Sequence, residues 1–457
     1  MAKLWIKAAV LVGLLAVSFF VSSTIYLAKG SSSSQDWPMF RGDLAHTGFT
    51  DSAGPSTATL LWNFTTNSVV WASPAVVDGQ VFIGSDGGMA YCLNATDGTK
   101  IWNYSLHADI RGGSPIGSSM AVADGYVYFG SYDHNIYCLN ASTGDKVWNF
   151  TTGNTVESCP EVVNGHVYVG SWDGNIYALD GLTGTKIWNY TAGGMVESSP
   201  AVVGGRVYVG STNFNVYCLD AGSGAEIWKY TTGNIVQSSP AVVGDRVYIG
   251  SEDKNVYCLS TSDGSVIWNY TTPGWVDSSP AVASGYLYVG SWELNADQMD
   301  LPSNVYCLDA LTGAKIWNYT THGGVNSSPA VAGGVVYVGG WDHNFYSLDA
   351  STGAEMWVYT TNAHVNSSPA VVNGVVYVCS WDHQVYAFGT LPVEATPSPS
   401  PSVSPSPSFS PSNSAQTTAT PTSQATTSFP TEIIYFVVAI IIVVAVVALI
   451  LVRRRKH

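Results

Sequence analysis

The sequence predicts an all-β chain folded as an eight-bladed β-propeller of four-stranded repeats, closed by its own N-terminal strand. Three observations predict it. Tryptophan returns at positions 62, 102, 148, 188, 228, 268, 317 and 357, in steps of 40 residues broken only by one of 46 and one of 49. The surrounding residues return with it: Ile187-Trp188-Asn189-Tyr190-Thr191 matches 267–271, and Ser198-Ser199-Pro200 recurs at Ser238, Ser278, Ser327 and Ser367. No apolar period of 3.6 runs through any unit, and a self-similar period near 40 without helical patterning marks sheets stacked in a ring or array.

Each unit reads as four strands. In residues 198–232, Ala201-Val202-Val203 is a short β-branched run stopped by Gly204-Gly205. Residues 206–210 and 215–219 alternate around Tyr and Val, and 226–232 carries Trp228 and Tyr230. Gly, Asp, Asn and Ser fill the connections, as hairpin turns require. Seven units are complete. The last, 367–388, lacks its Trp strand, whereas the first Trp segment, Thr59-Leu60-Leu61-Trp62-Asn63-Phe64, has no three strands before it. That segment is expected to supply the fourth strand of the last blade, which removes an open sheet edge. The recurring Trp62, Trp102, Trp148, Trp188, Trp228, Trp268, Trp317 and Trp357 are expected to dock one blade on the next.

The two ends read as membrane segments. Lys3 and Lys7 precede an uncharged stretch over 8–27, so 1–29 is a signal peptide or a retained signal anchor. Residues 433–452 are apolar and are followed by a basic tail, 453–457, expected in the cytoplasm; twenty residues at about 1.5 Å each span the ~30 Å hydrocarbon layer. Residues 391–431 hold 9 Pro, 11 Ser and 8 Thr and read as a disordered stalk, at most about 130 Å long if fully extended. The propeller, 36–390, is thereby expected outside the cytoplasm at the cell membrane, as a monomer. The chain carries 17 Lys+Arg against 32 Asp+Glu. Seven of the basic residues lie at the two ends, leaving ten against 32. Nucleic acid is excluded as a partner by that balance, and cationic partners are favoured.

The segment Leu139-Asn140-Ala141-Ser142-Thr143-Gly144-Asp145-Lys146-Val147-Trp148 resembles the tryptophan-docking motif of the PQQ-like (pyrroloquinoline-quinone-type) propeller-repeat family, and so do 310–317 and 350–357. Asp36-Trp37-Pro38-Met39-Phe40-Arg41-Gly42 is similar to that family's N-terminal lead-in. The resemblance covers about 36–390 and implies eight blades with the Trp strand outermost. The family includes quinoprotein dehydrogenases and a non-enzymatic lipoprotein of outer-membrane barrel assembly. The dehydrogenases carry a vicinal Cys–Cys pair and calcium-binding Glu, Asn and Asp residues. This chain has no Cys-Cys pair and no Cys-x-x-Cys-His haem motif, so the reading at this level is a non-enzymatic member.

Binding residues are expected at one end of the channel. The residue before each Ser-Ser or Ser-Cys pair varies: Glu157, Glu197, Gln237, Asp277, Asn326 and Asn366. Such a ring of oxygen atoms suits Ca²⁺ or a cationic group, or else is a solvated polar rim. Trp172, Trp292, Trp341 and Trp381 follow the Gly-Ser, Gly-Gly or Cys-Ser strand ends and suit stacking on sugars, or shielding of the blade tops. His322, His343, His364 and His383 form a weaker candidate for Zn²⁺ or Cu²⁺, because Trp-Asp-His is also a local turn motif. Two insertions, of six residues within 105–117 and nine within 293–303, fall on the same face; the second contains Asp297 and Asp300. Five cysteines share one Tyr-Cys-Leu slot that elsewhere holds Ala or Ser, which predicts a small buried residue rather than a disulfide. Ten Asn-x-Ser/Thr sequons make the chain a candidate glycoprotein. The expected function is binding or scaffolding of an extracellular protein or glycan, without a required cofactor. The alternatives are an oxidoreductase using PQQ and Ca²⁺, and a lectin.

Overall fold

A computed structural model describes residues 36–106, 114–293 and 301–389. The signal or anchor segment, the stalk, the apolar span and its basic tail lie outside the described residues, as does most of both insertions, including Asp297 and Asp300. Among the described residues no helix is long and apolar enough to cross a membrane.

Every repeat becomes a four-stranded antiparallel sheet. Blades 1 to 7 occupy 75–105, 121–151, 161–191, 201–231, 241–271, 281–320 and 330–360. Blade 8 combines Ala370–Val372, Val375–Cys379 and Gln384–Gly389 with Leu60–Thr65 from the other end of the chain. There Trp62 pairs with Ala387 and Phe64 with Val385. The innermost strands neighbour one another all the way round, from blade 1 to blade 8 and back to blade 1, so the ring is closed.

Three devices hold neighbouring blades together. The first is the predicted Trp. Each ring lies against the next blade, and its Nε1–H donates to a carbonyl there, as from Trp148 to Gly181 O (2.9 Å) and from Trp188 to Ala221 O (2.9 Å). Gly184 sits under the Trp148 ring; a Cβ there would lie 2.7 Å from it, so the approach needs glycine. Blade 8 has no hairpin to receive Trp357, and Pro55 O takes that proton instead (3.3 Å).

The second device is a hydrogen-bonded belt made by the repeated Ser pair. In each step a backbone N–H donates to the side chain one blade on: Ser73 to Ser119, Ser119 to Cys159, Cys159 to Ser199, Ser199 to Ser239. It continues through Ser279, Ser328 and Ser368, and the Ser368 N–H closes the circle on Ser73 Oγ. These side chains are buried. Ser199→Ala would strand the Cys159 N–H, an expected loss of about 1–3 kcal/mol measurable by urea unfolding.

The third device is not apparent from the repeat. The lead-in threads the channel as a plug. Innermost strands leave one edge of backbone donors facing the axis, and such donors need partners when buried. Val76 N–H donates to Trp37 O, Val122 to Pro38 O, Val202 to Leu44 O, Val242 to Ala45 O, Val282 to Thr47 O and Val331 to Gly48 O. Phe49–Thr50 then pairs in parallel with the inner strand of blade 7. Blade 3 is served differently: Glu161 stands where seven other blades have Ala, and its Oε2 lies 3.2 Å from His46 Nε2 of the plug. Both side chains are 1% exposed.

Candidate functional site

The mouth of the channel is an eight-membered ring of residues, one per blade. Strand-like alternation creates it. Val196 and Ser198 point into the blades and are fully buried, so Glu197 between them faces the axis. The six expected residues, Glu157, Glu197, Gln237, Asp277, Asn326 and Asn366, all line one cavity of about 200 Å³. Trp71 and Gly117 complete the ring in blades 1 and 2, and Phe40 of the plug lines the same cavity. Trp71 was legible in principle, since it precedes Ala72-Ser73-Pro74 in the register of Glu157 before Ser158-Cys159-Pro160.

The ring has two unlike halves. Blades 3, 4 and 6 give the ring its carboxyls, Glu157, Glu197 and Asp277, and blade 5 gives Gln237. Burial pushes the Asp277 carboxyl up to about 7, and nearby Glu252 and Glu197 add to the effect. Burial and then Glu157 push Glu197 up to about 7, against the hydrogen bond it accepts from Gln237 Nε2. Glu157 and Glu252 are shifted upward by the same burial. Asp277 Oδ1 and Asn326 Oδ1, on adjacent blades, are shielded from solvent and have no hydrogen-bond partner.

On the other side Asn326, Asn366, Trp71 and Gly117 line the cavity, and Trp71 is one end of an aromatic arc. Ring centroids run from Trp71 to Trp381 (4.1 Å), Trp381 to Trp341 (5.5 Å), Trp341 to Trp292 (4.7 Å) and Trp292 to Trp275 (6.1 Å). Trp71 Nε1–H donates to Asp86 Oδ2 (2.7 Å) and Trp341 Nε1–H to Asn366 Oδ1 (3.0 Å). Trp172 stands apart from this arc, against Tyr132 (5.9 Å).

The four histidines do not converge. His364 stacks on Trp341 (4.9 Å) and meets His343 edge-on (5.0 Å), so these two extend the aromatic arc. His322 and His383 are exposed. His343 and His383 have φ of 68° and 69° in a turn position that Gly174, Phe214 and Lys254 fill in other blades, so turn geometry accounts for the repeated motif. Among the described residues no group of three or more His, Cys, Asp or Glu is placed to hold a metal ion. All seven cysteines are free and buried.

A closed propeller with a plugged channel and one lined mouth defines the class. The family model described as "Outer membrane protein assembly factor BamB" matches residues 52–113, 108–234, 212–299 and 302–391, and the chain belongs to this PQQ-like repeat family. Among solved structures it is similar to a europium-containing methanol dehydrogenase (TM-score 0.69, 14% identity, 79% of this chain and 99% of that one). It is likewise similar to the quinohemoprotein alcohol dehydrogenase of Comamonas testosteroni (0.69, 17%, 80% and 82%). BamB from Moraxella catarrhalis is similar too (0.62, 17%, 73% and 100%). None of the curated protein sequences compared with the chain matches it.

These likenesses correct one expectation. The missing Cys-Cys pair points to a non-enzymatic member, yet the two dehydrogenases superpose with higher TM-scores than the assembly factor. The fold is shared by dehydrogenases and an assembly factor alike, so it supports no exclusion of catalysis.

Proposed function

We propose that this propeller is a docking module held outside the cytoplasm, and that its channel mouth receives a basic segment of a protein partner. The partnerless Asp277 Oδ1 and Asn326 Oδ1 carry the reading. Two shielded acceptors without donors are each unfavourable by about 1–3 kcal/mol, and a ligand that donates to both recovers that energy. Glu157, Glu197 and Asp277 line the cavity with no Lys or Arg among its described residues. A guanidinium offers five N–H donors to such a rim and a flat face to the tryptophan arc. The terminal segments, read as membrane signals, support the location, and kinship with an assembly factor supports a protein partner.

Titration calorimetry of the propeller head with basic, neutral and acidic peptides tests this. The basic peptide should bind, and more tightly at pH 8 than at pH 6, because Glu197 and Asp277 lose their protons near pH 7. Glu197→Gln with Asp277→Asn should weaken binding at least tenfold while the circular dichroism spectrum is kept. Equal binding of the acidic peptide, or tighter binding at pH 6, would refute the reading. Raised carboxyl pKa values also mean stability present at low pH and lost as pH rises through about 7. The ligand-free Asp277→Asn variant should therefore lose less stability than the parent between pH 5 and pH 8.

The dehydrogenase likenesses favour a second reading, PQQ- and Ca²⁺-dependent alcohol oxidation. The described mouth does not fit the quinone by itself: its three carboxylic acids face a tricarboxylate, and no described lining residue is cationic. Dye-linked alcohol oxidation by the head supplied with PQQ and Ca²⁺ would establish this reading; no turnover above a protein-free control would dismiss it.

A further inference from the structure

The structure divides the ten sequons into three groups. Asn94 and Asn140 accept backbone N–H bonds in the hairpin before the outer strand. Asp180, Asp220, Asp309 and Asp349 do the same in other blades, so the turn explains these two asparagines. Asn326 and Asn366 line the mouth, and the serines of their sequons, Ser328 and Ser368, are buried in the inter-blade belt. The remaining six, Asn63, Asn103, Asn149, Asn189, Asn269 and Asn318, occupy one equivalent position in the outer strand and are all exposed.

Blade architecture does not require asparagine there. In most blades the sequon Thr donates to a facing Asn, as Thr191 Oγ1 does to Asn175 Oδ1 (2.7 Å), and Asn189 Nδ2 adds a second bond to the same atom (3.1 Å). Blade 4 has Lys229 and blade 7 has Val358 in place of the sequon asparagine. Both keep the threonine bond, Thr231 to Asn215 (2.6 Å) and Thr360 to Asn344 (2.7 Å). Blade 1 shows the converse: Asn103 is retained although the strand opposite begins with Met89, which offers no amide.

We propose that these six asparagines carry N-linked glycans in a single equatorial ring, while the four other sequons stay bare. The inference rests on the extracytoplasmic placement proposed above. The donor is a saccharide activated as a diphosphate ester. Its C1–O bond to the diphosphate breaks, C1 bonds to Nδ2, Nδ2 gives up one proton and the diphosphate leaves. One N–H stays on Nδ2 as a donor, and the threonine bond to Asn175 and its equivalents is untouched. Two residues earlier on the same strand face stand the exposed Ile101, Val147, Ile187, Ile267 and Ile316, each 40–47% accessible. A glycan at each of these five sites covers the aliphatic residue, and one at every site covers the unpaired outer edge of the blade, the part of a sheet that otherwise recruits other strands.

Glycopeptide mass spectrometry of the full chain from its native membranes, with protease shaving of intact cells, tests this. The expected result is saccharide on the six outer-strand asparagines, none on Asn94, Asn140, Asn326 or Asn366, and a mass decrement for each Asn→Gln exchange in the ring. Bare outer-strand asparagines on protein that shaving releases would overturn the glycan ring alone. Bare asparagines on protein that shaving cannot reach would overturn the ring together with the placement beneath it. Saccharide on Asn326 or Asn366 would overturn the division by accessibility.

Discussion

Deleting residues 56–66 is expected to destabilise the propeller by more than 5 kcal/mol, roughly a core tryptophan plus a strand. It should also replace one cooperative transition with a broad one. The segment supplies the outer strand of blade 8 and pairs with Phe388, Ala387, Tyr386, Val385 and Gln384. It also carries Trp62, which is 7% exposed and donates from Nε1 to Ala95 O of blade 1 (2.9 Å). Without it, blade 8 would show solvent an apolar edge, and the belt, the inner strands and the bond from the Tyr377 hydroxyl to Ala95 O (3.2 Å) would be left to join it to blade 1. Trp62→Ala alone should cost about 3–5 kcal/mol, and Trp188→Ala, with the same docking bond in mid-ring, should cost about the same. Urea unfolding and calorimetry compare the three. A deletion no worse than Trp62→Ala would mean that strand pairing contributes nothing to closure.

Legibility in the sequence follows from which features repeat. Blade number, strand order and the docking role of Trp are each written several times over. The closure by residues 60–65 follows from them, because one unit lacks the strand that another segment has to spare. The six mouth residues were legible because alternation between two buried neighbours fixes their direction. The plug was not legible, because it occurs once. Nothing periodic announces that residues 37–50 pair with inner strands far along the chain. One mark of it does stand in the sequence: Glu161 breaks an alanine slot. An acid in a slot that must be small elsewhere implies a partner from outside the repeat, here His46. The likeness to dehydrogenases was legible in the repeat motif, but setting catalysis aside on the missing Cys-Cys pair and haem motif was not warranted, since these are local chemistry and the fold persists without them.

The plug provides the second large effect, and its size depends on pH. Burial and then nearby Arg41 bring His46 down to about 3, while burial pushes Glu161 well above the usual carboxylate range. The folded pair therefore keeps one proton past the pH at which a free carboxyl gives it up. Below about pH 4.5 the unfolded chain holds two on these groups, between about 4.5 and 6.5 it holds one, and above about 6.5 it holds none. Stability from the pair is flat in the middle window. On the acid side His46 takes it away as pH falls from about 6.5, an effect that Glu161 offsets until about 4.5. On the alkaline side Glu161 takes it away at about 1.4 kcal/mol per pH unit. Glu161→Ala leaves a buried imidazole nitrogen unpaired, which at pH 6 should cost about 1–3 kcal/mol. The same variant has no alkaline loss from this site, so its deficit against the parent should shrink between pH 6 and pH 8.5. Urea midpoints of the two proteins at pH 6 and pH 8.5 measure the change in that gap. The difference cancels the separate slope of the mouth carboxylates, Glu197 and Asp277, which both proteins share. A constant gap at the two pH values would show that Glu161 is ionised in the folded chain as it is in the unfolded one, and that the plug is not held by a shared proton.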